Sequence, residues 1–143
     1  MLKKAINQGM RWYLAQRYKH IHAFYQNPLP VQQKWFDYLI KSARHTEWGK
    51  AHNFANIKSK EAFAEQIPIQ DYESLKPYIE RMMMGEKDVL WHGETKWFSK
   101  SSGTTSAKSK FIPVSDQNLI QCHIKGTWDT MSMIYNQLPD ARQ

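Results

Sequence analysis

The segment SSGTTSAKSKFIP, residues 101–113, places two lysines behind a hydroxyl-rich turn that contains one glycine, Gly103. The apolar pair Trp97-Phe98 precedes this turn, and the apolar stretch 111–114 follows it. We expect two short strands here, joined by a mobile loop. Backbone N–H groups in a turn can converge on an anion, hydroxyl groups add rotatable donors, and lysine adds a positive charge. The pattern therefore predicts a phosphate-binding loop.

Two other interpretations of this loop fit its residues less well. Stretches rich in Ser, Thr and Gly are most often solvated linkers, but a linker need not end in lysines that run straight into an apolar strand. The phosphate loop of kinases and GTPases has glycine and lysine at the fifth and sixth positions after its first glycine. Lys108 and Ser109 occupy those positions here. A loop of that type is therefore not expected.

The Ser-Ser-Gly-Thr-Thr segment followed by a lysine resembles the nucleotide loop of the acyl-adenylating superfamily, which includes luciferases and acyl-CoA synthetases. The finer match is to the auxin-responsive acyl-acid amido synthetases, in which two apolar residues and a proline follow the lysine. Ala107 departs from the pattern, because many members have glycine there. Further segments are similar to the bacterial branch of that family, in order over roughly residues 27–140: 46–50, 67–79, Arg81-Met82, Gly85-Glu86, 123–126 and Asp129.

The resemblance implies an ATP-dependent acyl-acid amido synthetase, a ligase that activates a carboxylic acid as acyl-AMP and transfers the acyl group to an amine or amino acid. It implies ATP and Mg²⁺ as cofactors. No catalytic residue and no metal ligand is identified in this chain, and the magnesium ligands are expected in another part of the protein. The expected contacts to the ATP phosphates are Ser101, Ser102, Gly103, Thr104, Thr105 and Lys110, with Lys108 as the alternative lysine.

Members of this family are considerably longer than 143 residues, and their other nucleotide motifs and mobile C-terminal domain follow the loop. We therefore interpret residues 1–143 as the N-terminal part of a large adenylation domain, from which the remainder and the C-terminal domain are absent. The fold class expected is α/β, and α+β within this fragment, mostly helical with short strands flanking the loop. These residues alone are expected to be inactive.

The composition is that of a globular protein, with 41% hydrophobic, 13% aromatic and 23% charged residues. The net charge of +7 leaves open a basic nucleic-acid-binding helical domain, which is disfavoured because the aromatics near Arg11 have helical spacing and should be buried. A non-catalytic binding module and an acyl-CoA-ligase-type enzyme are further alternatives. The single Cys122 favours a reducing compartment and a cytoplasmic protein. No membrane or nucleic-acid partner is expected.

Hydrophobic spacing predicts two N-terminal helices, packed as an antiparallel pair around the turn at 27–30. Gly49 is expected to end the second helix. The first apolar stripe comprises Ile6, Met10, Leu14, Tyr18, Ile21 and Tyr25, and the second comprises Val31, Trp35, Tyr38 and Leu39.

Capping residues predict three further helices. Ser59 begins a short helix that ends at Gln66, before an extended segment 67–69. Asp71 begins the next helix, with Pro77 in a restarted first turn, the methionines 82–84 as core filler and Gly85 as the stop. A final helix begins at Ser115 or Asp116 and runs to about Gln137. His123 is expected in its core or at the core boundary, with Cys122 as an apolar filler.

Overall fold

The computed structural model describes residues 2–102 and 109–137. The chain divides into two compact units, one formed by Met1–Gln32 with Gln117–Gln143 and the other by Gln33–Asp116. Among the described residues, no helix combines the length and the apolar character that crossing a membrane requires.

The fold is mostly helical with one two-stranded antiparallel sheet, which confirms the expected fold class. The helices are α1 (Leu2–Gln26), α2 (Pro28–Ala43), α3 (Glu47–Ala51), α4 (Lys60–Gln66), α5 (Tyr72–Met83), α6 (Asp116–Asn118) and α7 (Lys125–Gln137). A 3₁₀ turn, Phe54–Asn56, follows α3, and a π-helical segment, Leu119–Ile124, joins α6 to α7. The strands are β1 (Trp97–Lys100) and β2 (Phe111–Val114).

In the first unit, α1 packs against α7. Leu14 is buried, and its carbonyl accepts a hydrogen bond of 2.6 Å from the buried Ser132 hydroxyl. Arg17 forms an ion pair with Asp129. The main packing partner of α1 therefore comes from the far end of the chain, and the predicted pairing with α2 is wrong. Sequence periodicity identifies an apolar face, but it does not identify the partner of that face.

The predicted apolar stripe of α1 is only partly buried. Leu14 is inside, whereas Ile6, Met10 and Tyr25 are exposed. Trp12 is also 67% exposed and Tyr13 37%, so the expectation that the aromatics beside Arg11 are buried is wrong for both residues.

The second unit has its core on a face of α2 that the sequence analysis did not select. Trp35, Tyr38 and Leu39 are exposed, which corrects the predicted stripe. The next residues along the helix, Phe36 and Ile40, point inward instead. Together with Ala43 they contact a cluster that also contains Phe54, Ile57, Trp48, Phe63, Ile67 and Trp91.

The corner between α2 and α3 is held by Thr46, which is fully buried. Its hydroxyl donates to the Ala43 carbonyl at 2.7 Å and accepts from the Gly49 amide at 3.0 Å. Gly49 lies within α3, and a Cβ there would lie 2.1 Å from the Ala43 carbonyl oxygen. The prediction that Gly49 ends the second helix is therefore wrong. Glycine is required by this close backbone approach.

Arg81 on α5 connects two distant segments through its guanidinium group. Its Nη1 and Nη2 donate to the two Glu47 carboxylate oxygens at 3.0 and 2.5 Å, and it also pairs with Glu86. Hydrogen bonds from Arg81 hold the pKa of Glu47 and the pKa of Glu86 below their ordinary range. Three of the segments that carried the family resemblance therefore meet in one ion-pair cluster.

The predicted caps of α4 and α5 are confirmed. The Ser59 side chain accepts from the Ala62 amide at 3.1 Å, and the Asp71 carboxylate accepts from the Ser74 amide at 2.8 Å. Gly85, with φ of +88°, follows the end of α5 as expected.

Two details of α5 differ from the prediction. Pro77 does not restart a helix but lies inside a continuous one. Of the methionine triplet, Met82 is buried as core filler, whereas Met83 and Met84 are exposed. The helix turns each successive residue by about 100°, so three in a row cannot share one buried face.

The last helical stretch begins at Asp116, as predicted, and reaches Gln137, the last described residue. His123 and Cys122 are both exposed on its π-helical segment. The expectations of a core or boundary histidine and of a packed cysteine are therefore wrong. Wider helical turns change which side chains share a face, so an α-helical wheel misplaces them here.

We expect Gly49→Ala to lower the free energy of unfolding by about 2 kcal/mol or more, because the added methyl group overlaps a backbone carbonyl that cannot rotate away. The matched control is Gly9→Ala within α1, where a Cβ has no neighbour within 4 Å. That control should raise stability by about 0.5–1 kcal/mol. Urea denaturation followed by circular dichroism measures the free energy of unfolding of both variants. Equal changes in the two variants would contradict the close approach of position 49 to the Ala43 carbonyl.

We expect Arg81→Met to lower the Tm at pH 7 and to change the Tm only slightly at pH 3. The lowered pKa values of Glu47 and Glu86 mean that their ion pairs stabilise the fold above the unfolded value of about 4.3. That contribution disappears as the pH falls through the lower folded values. Lys76→Met on the same helix, which loses only ion pairs of 3.9 and 4.0 Å, is the control. A Tm difference that is independent of pH would argue against the ion pairs.

Candidate active site

The two strands bring the ends of the predicted phosphate loop together. Trp97 pairs with Val114 and Lys100 pairs with Phe111, and the segment 101–110 joins the strands. The Ser101 amide donates to the Lys110 carbonyl at 2.9 Å, and the Lys110 amide donates to Ser101 Oγ at 2.9 Å. The predicted hairpin is confirmed, with Ser101 and Lys110 facing each other at the neck of its loop.

Lys110 lies at the end of the loop, directly before β2 and next to the first turn of α5. Its Nζ lies 5.1 Å from the centre of the Tyr72 ring, within the range of a cation–π interaction. The Tyr72 hydroxyl accepts a hydrogen bond of 2.9 Å from the Phe111 amide. One tyrosine therefore contacts two consecutive residues at the exit of the loop.

Asp71 adds a negative charge close to Lys110. Its pKa is lowered by the hydrogen bond from the Ser74 backbone amide, and the nearby Lys110 charge lowers it further. Within residues 2–102 and 109–137, no carboxylate lies within 4 Å of the Lys110 ammonium. Lys110 is thus oriented by a ring and a neighbouring charge but is not neutralised by an ion pair in that part of the chain.

A groove of about 400 Å³ runs along α5 beside the exit of the loop. Ser109 and Phe111 form one side of it, and Tyr72, Lys76 and Met83 are on the other. A second groove of about 830 Å³ has a mostly apolar lining that includes Phe36, Phe63 and Trp91. Of the predicted phosphate contacts that the structure describes, Ser101, Ser102 and Lys110, none lines either groove. The first groove lies beside them, because Ser109 and Phe111 flank Lys110 in the chain, and the candidate site is therefore placed at the hairpin.

The structure describes three of the predicted site residues, Ser101, Ser102 and Lys110, and places Ser101 and Lys110 at the neck of the loop. The others, Gly103, Thr104, Thr105 and the alternative lysine Lys108, lie outside the described residues. The predicted mobility of 101–109 falls largely on the same segment. These assignments therefore stay predictions.

Tyr72 is not among the site residues predicted from the sequence. Asp71 was predicted as a helix cap, and Tyr72 belongs to the segment 67–79 that resembles a family. That resemblance was the available signal, but the contact with Lys110 joins residues far apart in the chain.

Among the described residues, no group of three or more His, Cys, Asp or Glu side chains is placed to hold a metal ion.

The sequence matches the family described as GH3 family N-terminal domain over residues 17–143. It is 28% identical over 102 residues to indole-3-acetic acid-amido synthetase GH3.2 of Arabidopsis thaliana, covering 71% of this chain and 19% of that relative. It is 31% identical over 131 residues to 4-substituted benzoates-glutamate ligase GH3.12 of the same plant, covering 82% and 23%.

The fold is also similar to a solved acyl acid amido synthetase, AtGH3.15 in complex with 2,4-DB. The TM-score is 0.66 at 21% sequence identity, over 93% of this chain and 21% of that one. At this identity the likeness establishes the fold alone. The chain spans about a fifth of the length of the relatives that it matches.

We expect Ser101→Ala to speed hydrogen exchange of the Lys110 amide by about two- to tenfold, because that amide loses its acceptor at the neck of the loop. The Phe111 amide is bonded to Tyr72 and should keep its rate, which makes it an internal control in the same NMR spectrum. Ser102→Ala is the matched variant and should leave both rates unchanged. If the Lys110 amide exchanged at the same rate in Ser101→Ala as in the wild type, the hydrogen bond from that amide to Ser101 Oγ would be contradicted.

Proposed function

This chain belongs to the GH3 family, matched through its N-terminal domain, and we propose that it is part of an ATP-dependent acyl-acid amido synthetase. The enzyme would activate a small carboxylic acid as acyl-AMP and transfer the acyl group to an amine or amino acid. The names of the matched relatives support this, since they describe amido synthetases and an acid–glutamate ligase. The supporting observation within the chain is the hairpin that sets Ser101 and Lys110 at the neck of its hydroxyl-rich loop.

Residues 1–143 form, in this proposal, the N-terminal part of a large adenylation domain. The rest of that domain and a C-terminal domain would supply the other nucleotide motifs, so these residues alone would not catalyse the reaction. We further assign the protein to the bacterial branch of the family and to the wider adenylate-forming superfamily. The ordered motifs around Thr46, Arg81 and Lys110 support that assignment.

The residues at the neck of the loop fit a polyphosphate. Ser101 uses its oxygen as an acceptor for the Lys110 amide and keeps its O–H as a donor. The Lys110 ammonium has three N–H donors, and a ring that contacts it from one side leaves N–H groups on the other sides for phosphate oxygens. Lys110 matches the lysine position of the family and is preferred over Lys108 on that ground, with Ser102, Gly103, Thr104 and Thr105 as the further proposed contacts to phosphate oxygens.

ATP supplies the phosphoanhydride bond whose cleavage activates the carboxylic acid, with Mg²⁺ as the expected counter-ion. The task of this chain is to hold the phosphates in line and to offset the charge that develops on them. Positioning and fixed donors of this kind account for much of the rate in such displacements.

The proposed partners are small molecules, a carboxylic acid and an amine or amino acid, in the cytoplasm. The exposed Trp12 beside Arg11 makes nucleic-acid binding worth a direct test. Binding that weakens steeply with salt would identify it. The proposal expects none.

We expect Lys110→Ala and Thr104→Ala to lower carboxylate-dependent ATP–pyrophosphate exchange by the full-length protein by about 10- to 100-fold. A lost charge-assisted hydrogen bond corresponds to a change of that size. The Tm should stay within a degree or two of the wild type, because Lys110 is exposed. Lys34→Ala, which removes an exposed lysine from α2, is the matched control.

Three outcomes would contradict the proposal. Exchange that persists in Lys110→Ala and Thr104→Ala with a lowered Tm would make the loop structural. A wild-type protein that forms no adenylate from any carboxylic acid would be a binding module. Product analysis that finds a CoA thioester in place of an amide would identify an acyl-CoA ligase.

A further inference from the structure

We propose that Tyr72 is a positioning residue for the phosphate-binding loop, holding Lys110 through its ring and the backbone at Phe111 through its hydroxyl. The inference rests on the proposed function and deepens it by adding a residue outside the loop.

Both functional ends of Tyr72, its ring and its hydroxyl, are engaged at the same place. The ring lies 5.1 Å from Lys110 Nζ, and the hydroxyl oxygen accepts from the Phe111 amide at 2.9 Å. The two contacted residues are consecutive, at the point where the loop becomes β2. A tyrosine that only filled space would not need to engage both groups.

Tyr72 is itself held in place. It is the first residue of α5, directly after the cap Asp71, whose carboxylate accepts the Ser74 amide at 2.8 Å. The same helix is anchored to the core by the buried Ile79 and Met82. Tyr72 thus transfers the rigidity of a capped, packed helix to the exit of the loop.

A contact between a lysine and an aromatic ring suits a lysine that must also bind phosphate. A flexible lysine loses much rotamer freedom when it is fixed on a ligand, so a prior contact reduces the entropy lost on binding. A carboxylate partner would restrict Lys110 too, but it would compete with phosphate for the ammonium. An aromatic face attracts the cation without a formal negative charge and leaves its N–H donors for phosphate oxygens.

The test is a double-mutant cycle on the dissociation constant of MgATP, measured by calorimetry on the full-length protein. Lys110→Ala should weaken binding by about tenfold or more. Tyr72→Leu should weaken it by about two- to fivefold, the size of an exposed cation–π interaction. The decisive prediction is that most of the Tyr72→Leu effect disappears in the Lys110→Ala background, leaving only the small effect of the lost Phe111 hydrogen bond.

The conservative variant separates the two ends of the side chain. Tyr72→Phe keeps the ring and should retain MgATP affinity within about twofold, because an exposed cation–π contact needs the ring alone. It should nevertheless speed hydrogen exchange of the Phe111 amide, which loses its acceptor. Tyr78→Leu is the control for lost helix packing, since the Tyr78 ring lies on the same helix but contacts Trp48. It should leave MgATP binding unchanged.

A readout without nucleotide keeps the test decisive even if Tyr72→Leu does not fold. After reductive ¹³C-methylation, the Lys110 methyl signals should shift upfield in the wild type and in Tyr72→Phe because of the ring current. An absent shift, or a Tyr72→Leu effect that persists fully in Lys110→Ala, overturns the inference alone. A wild-type protein that binds no MgATP, or a Lys110→Ala variant that binds it normally, overturns the proposed function and the inference with it.

Discussion

The tight corner between α2 and α3 constrains the unit that carries the candidate site. Position 49 cannot hold a side chain there, because a Cβ would lie 2.1 Å from the Ala43 carbonyl oxygen. The buried Thr46 hydroxyl completes the corner by bonding to both sides of it. Once the corner is formed, the direction of α3 is fixed, and the Trp48 side chain joins the core.

Hydrogen bonds connect this corner to the segment before β1 and to α5, and α5 in turn contacts the hairpin. The first amides of α3, at Glu47 and Trp48, donate to the carbonyls of Asp88 and Val89 and so hold the segment that precedes β1. The Glu47 carboxylate holds Arg81 of α5. At its other end, α5 presents a tyrosine to the first residue of β2. The loop therefore has ends that are tied to packed elements on both sides.

The described part of the proposed phosphate loop is ordered without an enclosed pocket. Ser102 and Lys110 are exposed and Ser101 and Tyr72 are half-buried, and ion pairs between exposed groups contribute little to stability. Order at the neck comes instead from two hydrogen bonds between Ser101 and Lys110, one between backbone groups and one from the Lys110 amide to the Ser101 hydroxyl oxygen, and from one aromatic contact. Such contacts leave the Lys110 ammonium without a carboxylate partner among the described residues.

The sequence by itself determined many local features of this protein, although Gly49 and Pro77 lie inside helices that it did not predict as continuous. Helix starts at Ser59 and Asp71, the stop at Gly85 and the strands around the loop were all predicted, because each depends on a few neighbouring residues. Tertiary structure alone decided which helix packs on α1, which face of α2 is buried and that Tyr72 meets Lys110. Those outcomes depend on contacts between residues that are distant in the chain, and periodicity and capping carry no information about such partners.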